Sequence, residues 1–214
     1  MKKKIVVLIS GNGSNLQAII DAVQAGRIHA EICGVISNKA DAYGLERAKA
    51  AHIPTFVFNR KDFESNAAMD HAVADQISAL QADLIVLAGY MKILTSAFTQ
   101  RFAGKILNIH PSLLPKYPGL NTYQRAIDAG DTEHGMSIHF VNEEVDGGAV
   151  VLQAKVPIYP DDEIADIAER VHEQEHRCYP LVIQWFCAGR LKLVNQQAFL
   201  DETLLPVQGY ALDE

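Results

Sequence analysis

Residues 106–119 read ILNIHPSLLPKYPG, and this stretch decides how the chain folds. Ile106, Leu107 and Ile109 give it the apolar, partly β-branched character of a buried strand. Asn108 and His110 interrupt that pattern two residues apart, so on a strand they share one face. Pro111 has no N–H for a sheet ladder and holds the residue before it extended. The strand therefore ends at His110, with an amide and an imidazole together at its C-terminal end. That end of an open α/β sheet is where ligands bind. The competing reading is a strand end whose two polar residues simply meet water.

Upstream, strands and helices alternate. Lys4–Ser10 is an apolar run suited to a parallel strand buried on both faces. Ser14–Ala25 follows as a helix, with Leu16, Ile19, Ile20 and Val23 on one side and Gly26 at its C′ position. Strands are expected at Glu31–Ser37, Ile53–Phe58 and Asp83–Gly89. Helices are expected at Gly44–Ala51, Asn66–Leu80 and Ser96–Phe102, with Ser96 as the last helix's N-cap. Downstream the pattern changes. A helix over Thr122–Ala129 leads to two strands, Gly135–Val141 and Ala149–Pro157, whose short connection implies an antiparallel hairpin. Glu163–Ala188 is helical with an interruption at Pro180, Leu191–Val194 is a last strand, and the tail reads as irregular. The fold class is α/β: a single domain, 1–214, with a doubly wound, mostly parallel sheet, helices on both faces and a late antiparallel hairpin.

The composition is that of an ordinary globular protein, 49% hydrophobic and 21% charged. A formal charge of −7 argues against a nucleic-acid surface, which wants a basic stripe. Three scattered cysteines, Cys33, Cys178 and Cys187, fit reduced thiols better than a disulfide framework. Met1–Lys4 looks like the start of a signal peptide, but the apolar run after it is too short for one. No window of about 20 apolar residues is present for a membrane span. The expected location is the cytoplasm.

Four motifs carry chemistry. Ser10-Gly11-Asn12-Gly13-Ser14-Asn15 joins a buried strand to an amphipathic helix, and a helix start with small residues before it favours an anion. The third glycine of a dinucleotide fingerprint is replaced by Leu16, and no G-K-[ST] follows, so a monophosphate fits better than a dinucleotide or a P-loop. A tight turn that binds nothing is the competing reading. His172-Glu173-Gln174-Glu175-His176 matches the H-E-x-x-H zinc signature, yet no third ligand follows it. On the helical wheel Glu175 falls within the apolar stripe of Ile164, Ile167, Ala168, Val171, Cys178, Val182, Trp185 and Phe186. A carboxylate there is costly unless paired or aimed at a polar cleft, so Glu175 is either a ligand-binding residue or half of a structural ion pair. Asn142–Gly148 joins the late strands. Its Asp146-Gly147-Gly148 is a turn signal in its own right. The functional reading needs Asp146 to reach His110, as it would if the hairpin pairs beside the 106–110 strand, and there to favour its imidazolium. His139 nearby reads as an exposed or satisfied strand histidine.

SGNGSNLQAII (10–20), LAGYMKIL (87–94), NIHPSLLPKYPG (108–119), HFVNEEVDGG (139–148) and the QEH of the late helix resemble the folate-dependent phosphoribosylglycinamide formyltransferases of purine synthesis. The resemblance runs from near the N-terminus to the final QGYALDE. N-x-H-P-S with a later D-G-G is shared more widely among enzymes that use 10-formyltetrahydrofolate; SGNGSNLQ points to this family among them. Methionyl-tRNA formyltransferase and formyltetrahydrofolate hydrolase carry further domains for which this chain has no expected room.

The resemblance implies a formyltransferase-like fold, with a phosphate-binding half over 1–105 and a catalytic and folate-binding half over 106–214. It implies transfer of a formyl group from 10-formyltetrahydrofolate, as co-substrate, to the amine of phosphoribosylglycinamide. Asn108, His110 and Asp146 match the catalytic trio. Gly13, Ser14, Asn15 and Glu175 match the grip on the ribonucleotide. Met91, Lys92, Ile93, Leu94, Asn108, Val141, Asn142 and Val145 match the folate pocket. Lys92 stands where some members have Arg, and Asn66 where some have an Arg that helps hold folate. No metal, nucleic acid or membrane is implied, and the chain is expected as a monomer or weak homodimer. The alternatives are formyltetrahydrofolate hydrolysis, formyl transfer to another amine, and a non-catalytic phosphate-binding module.

Overall fold

The structure is a computed structural model that describes residues 1–212. It forms two compact units, residues 1–108 and residues from Ile109 onward.

The first unit winds as strand–helix pairs: β1 (Lys3–Ile9), α1 (Ser14–Gln24), β2 (Ala30–Ser37), α2 (Gly44–Ala50), β3 (Thr55–Val57), a 3₁₀ turn (Arg60–Asp62), α3 (Asn66–Ala79), β4 (Leu84–Leu87) and α4 (Ser96–Arg101). β5 (Ile106–His110) begins in this unit and ends in the next. All these strands pair in parallel, in the order β5-β4-β1-β2-β3. Ile5–Ile9 and Leu84–Leu87 are buried residue after residue, because crossover helices cover a parallel sheet and leave no strand face for water. The chain leaves β1 toward β3 on one side and returns to β4 on the other. A topological switch point therefore lies between β1 and β4, where open α/β sheets bind ligands.

A buried ion pair fastens the segment after β4. Lys92 Nζ pairs with Asp70 Oδ1 on α3, and the side chains are only 10% and 3% exposed. The second carboxylate oxygen accepts the Thr95 N–H at 2.7 Å. Thr95, rather than Ser96, caps α4, with its Oγ1 accepting from the Phe98 N–H. Thr95 is extended there, which leaves its side chain free to turn back on the first turn.

In the second unit, α5 (Thr122–Asp128) precedes the antiparallel pair β6 (Glu133–Phe140) and β7 (Val150–Pro157). α6 (Ile164–Cys187) packs on both strands. The expected interruption at Pro180 does not occur. Pro180 lies inside a continuous helix. Val171, Cys178, Tyr179, Val182 and Ile183, all fully buried around it, supply more than the roughly 3 kcal/mol that an interior proline costs. Ile164, placed on the apolar stripe by the wheel, is exposed at the first turn. The tail is not irregular. β8 (Leu191–Val194), β9 (Gln197–Leu200) and β10 (Thr203–Leu204) form a small antiparallel sheet, and β11 (Tyr210–Ala211) pairs in parallel with β7. Two- to four-residue strands fall below the length at which alternation shows in a sequence. Among the described residues, no helix is long and apolar enough to cross a membrane.

Removing Asp70 leaves an ammonium buried without its partner. Asp70→Ala is expected to lower unfolding free energy by about 3–5 kcal/mol in urea denaturation, and a change below about 1 kcal/mol would show that the pair carries no such burden.

Candidate active site

The C-terminal end of β5 and the loop after it are built by local hydrogen bonds of the second unit. Ser112 Oγ donates to the Lys116 carbonyl at 2.6 Å. The Leu114 N–H donates to Ser137 Oγ at 3.0 Å, and Ser137 Oγ donates to the Ser112 carbonyl at 2.7 Å. Gln153 Nε2 donates to the Leu114 carbonyl at 2.7 Å, and Thr122 Oγ1 to the Pro111 carbonyl at 2.6 Å. Side chains of β6, β7 and α5 thus satisfy a Pro-rich segment that has no ladder of its own.

His110 is buried. Its Nε2 lies 2.8 Å from the Tyr117 carbonyl, and its Nδ1 lies 3.5 Å from Asp146 Oδ2. The same Oδ2 accepts the Gly119 N–H at 2.8 Å. Asp146 Oδ1 faces His139 Nε2 at 3.7 Å, while His139 Nδ1 donates to the Phe140 carbonyl at 2.8 Å. The loop that delivers Asp146 needs its glycines. Asp146 itself has φ +53°, tolerable for Asp. Gly148 folds so closely on β6 that a Cβ would sit 1.8 Å from the Phe140 carbonyl oxygen.

Electrostatics divide the pair. Burial acts to raise the Asp146 pKa. The nearby His139, the hydrogen bond from the Gly119 N–H and the His110 imidazole outweigh it, so the carboxyl titrates below its ordinary 3.8. For His110 burial wins. It pushes the pKa below 6.5 despite the Tyr117 carbonyl and Asp146, with His139 and Arg125 adding to the fall. Asp146 acts in the direction expected from the sequence, toward imidazolium, but burial outweighs it.

His139 was expected to be exposed or merely satisfied, and its place in this cluster went unforeseen. It is buried and faces Asp146. A histidine near the end of a strand whose hairpin returns an Asp-Gly-Gly was the available signal. Asn108, two residues before His110 on β5, is half-buried and lies beside Leu87 of β4. Glu175 is 6% exposed on α6, and it acts with burial to push up the hydroxyl pKa values of Tyr123 and Tyr179. Val141 and Asn142 are half-buried, and Val145 is exposed. Among the described residues no three His, Cys, Asp or Glu side chains group to hold a metal ion; His172 and His176 stack ring on ring.

The first unit carries its own constellation at the β1/β4 switch point. Gly13 opens α1 with φ +77°, and a Cβ there would meet Gly44 Cα at 2.7 Å. Ser14 and Asn15 form the first turn of that helix. Arg47 reaches across from α2, donating to the Asn12 carbonyl at 2.8 Å and to Asn12 Oδ1 at 2.7 Å. Ser10 Oγ donates to Asn38 Oδ1 at 2.6 Å and accepts the Met91 N–H at 2.7 Å. That hydroxyl ties the loop after β1 to the segment after β4. In that segment Met91 and Ile93 are 61% and 73% exposed, Leu94 is half-buried, and Lys92 is turned into its ion pair with Asp70. Asn66 accepts from Arg60 Nε at 2.8 Å.

Residues 3–183 match the family model described as formyl transferase. The phosphoribosylglycinamide formyltransferase of Haemophilus influenzae is 68% identical over 98% of this chain and 99% of its own length. The trifunctional purine biosynthetic protein adenosine-3 of Drosophila melanogaster is 46% identical over 88% of this chain, a match that spans 14% of that longer protein. The structure of the phosphoribosylglycinamide formyltransferase of Coxiella burnetii superposes with a TM-score of 0.96 at 49% identity, covering all of both chains.

Because the Asp146 carboxylate holds the His110 pKa up against burial, Asp146→Asn is expected to lower the His110 pKa further. Histidine ring NMR across a pH titration measures it, and an unmoved or raised His110 midpoint would contradict the geometry.

Proposed function

We infer that this chain, which belongs to the formyl transferase family, transfers a formyl group from 10-formyltetrahydrofolate to the amine of 5-phosphoribosylglycinamide in purine biosynthesis. The observation that carries the mechanism is the buried approach of Asp146 to His110. The chain is read as one formyltransferase domain working in the cytoplasm. The half before residue 106 supplies the phosphate anchor, and the half after it the proton-carrying pair.

The amine attacks the formyl carbon, and its lone pair becomes the new C–N bond as the C=O π pair moves to oxygen. The tetrahedral intermediate then bears an oxyanion and a positively charged nitrogen. Asn108, which shares a strand face with His110 by their i, i+2 spacing, offers an amide N–H₂ to the oxyanion. His110, neutral at rest, accepts the surplus proton from the attacking nitrogen. The imidazolium so formed lies beside Asp146 and adds a positive charge near the oxyanion at the moment both negative charges favour it. The proton passes on to the leaving nitrogen of the folate as the C–N bond breaks, and His110 returns to its neutral form. Gly13, Ser14 and Asn15 at the α1 start hold the ribonucleotide phosphate, and Glu175 holds the same substrate. Met91–Leu94, Val141, Asn142 and Val145 border the folate. The exposed Met91 and Ile93 support that role, since apolar surface held open to water gains when a flat ring covers it.

Asn108→Ala and Asp146→Asn are each expected to lose on the order of 10²–10³ in turnover with cooperative unfolding intact; near-normal turnover in either would remove that residue from the mechanism. Folate product absorbance should rise only when the ribonucleotide is supplied, and equal rates without it would indicate hydrolysis instead. Glu175→Ala is expected to weaken ribonucleotide binding by titration with folate binding unchanged, and unchanged ribonucleotide affinity would leave Glu175 a purely structural residue. Since neutral His110 is the competent form, kcat/KM corrected for the substrate amine should be level at neutral pH and fall as pH drops through a midpoint below 6.5; a rise toward acid would reverse the assigned proton direction.

A further inference from the structure

We propose that Arg60, braced by Asn66, holds the carboxylates of the folate's glutamate tail. This rests on the reading of Met91–Leu94 as a wall of the folate pocket, and it assigns a binding role to residues outside that wall.

The 91–94 segment offers a folate apolar surface and no uncommitted charge. Met91 and Ile93 are exposed. Lys92 between them is turned into its buried pair with Asp70, and its Nζ also donates to the Ile93 carbonyl at 3.3 Å. That ammonium is spent within the protein, because withdrawing it would leave the Asp70 carboxylate buried alone. A tetrahydrofolate ends in a glutamate whose two carboxylates are anions at neutral pH. On a chain with a formal charge of −7, they need a cation that the fold has not already matched.

Arg60 meets that need. Its Nε donates to Asn66 Oδ1 at 2.8 Å and its Nη1 to the Phe63 carbonyl at 2.8 Å. Both acceptors are neutral, so the guanidinium keeps its charge. Among the described residues no carboxylate pairs with it, although Asp62 and Glu64 are close in sequence. Its Nη2 carries two further N–H groups. Arginine only donates, so its contact on Asn66 has to be the amide oxygen, which leaves the Asn66 N–H₂ as one more donor for an anion.

The brace is built before any ligand arrives. Arg60–Asp62 form a 3₁₀ turn, in which the Asp62 N–H donates to the Asn59 carbonyl at 3.1 Å and the Phe63 N–H to the Arg60 carbonyl at 3.3 Å. Phe58 and Phe63 stack with their centroids 6.2 Å apart. A planar guanidinium already held in place gives up less freedom when a carboxylate binds.

The helix that carries Asn66 also fixes the folate segment. Asn66 and Asp70 are four apart on α3, so they are neighbours on one face. Asp70 is the residue that fastens the segment, through Lys92 and the Thr95 N–H. Arg60 therefore stands about one helical turn from that attachment. Other held cations of the first unit are committed elsewhere. Lys49 and Arg101 are matched by Glu46 and Asp75, and Arg47 is bound to Asn12 in the loop after β1.

The test is titration of the full-length chain with two probes, 10-formyltetrahydrofolate and the same compound without its glutamate, 10-formyltetrahydropteroate, together with kcat and KM. Wild type should bind the glutamate-bearing probe more tightly. Arg60→Ala should weaken that probe about fivefold, the weight of an exposed ion pair. It should leave the affinity for the pteroate and kcat at saturating folate within about twofold of wild type, which also shows that the variant folds. Asn66→Ala removes only the brace and should produce a smaller loss of the same kind. Lys61→Ala removes an exposed charge next to Arg60 and should leave the discrimination between the probes unchanged. Equal weakening of both probes in Arg60→Ala overturns the proposal, as does no weakening of either, or the same selective loss in Lys61→Ala. Unchanged discrimination in Asn66→Ala overturns the part given to the brace. If neither probe binds the wild type, the folate reading falls and the proposal with it. If both bind but the ribonucleotide is not formylated, the reading of the reaction fails while the two-probe comparison still decides Arg60.

Discussion

A carboxylate and an imidazole stand 3.5 Å apart, both largely closed off from water. In bulk solvent such a pair would settle as carboxylate and imidazolium. Here desolvation disfavours the charged ring more than Asp146 favours it, and the His110 pKa falls below its ordinary value. Much of the surrounding backbone exists to hold that balance. Gly148 permits the hairpin to fold against the Phe140 carbonyl, Asp146 accepts a left-handed φ, and the Gly119 N–H fixes one carboxylate oxygen while His139 faces the other. Ser137, Gln153 and Thr122 satisfy the carbonyls and amides of the loop between His110 and Gly119. A less buried site would charge the histidine before substrate arrived. A site without the carboxylate would leave the imidazolium too costly to form in the reaction.

The first unit applies a different rule to a different task. Its strands reverse direction of winding between β1 and β4, so two loops diverge there and leave room for a ligand. One loop opens a helix through a glycine that packs against Gly44 and is braced by Arg47. The other is fastened from beneath by the Lys92–Asp70 pair and from the side by Ser10. This explains how Met91 and Ile93 stay exposed in a fixed segment. The lysine between them is turned inward, and the ion pair substitutes for the apolar anchor such a segment would otherwise need.

The winding of the first unit was legible because buried parallel strands and amphipathic helices write different periods into a sequence. The pairing of Asn108 and His110 on one strand followed from spacing alone, and the approach of Asp146 followed from the hairpin. What escaped was energetic rather than topological. Charge complementarity predicted a raised His110 pKa, because a sequence displays neighbours and not the water they lose. His139 was passed over for the same reason: β6 is buried on both faces, which alternation does not announce. Pro180 misled because local propensity speaks for an exposed helix, and this one is buried. The short strands after β8 were invisible because pairing partners, not their own residues, define them. The roles proposed for the glycine loop and for the folate pocket rest on resemblance to known formyltransferases; physics alone left the glycine loop open between a phosphate site and a tight turn.

The central claim is that His110 is neutral until the reaction places negative charge beside it. The most direct measurement is the protonation state of its ring nitrogens by ¹⁵N NMR at neutral pH. It would be read in the free protein and in a complex with the ribonucleotide and a folate analogue whose formyl carbon is replaced by a stable tetrahedral, oxyanion-bearing centre. The account predicts a neutral ring in the free protein and a doubly protonated one in the complex. A ring already charged when free, or still neutral beside the oxyanion mimic, would contradict it.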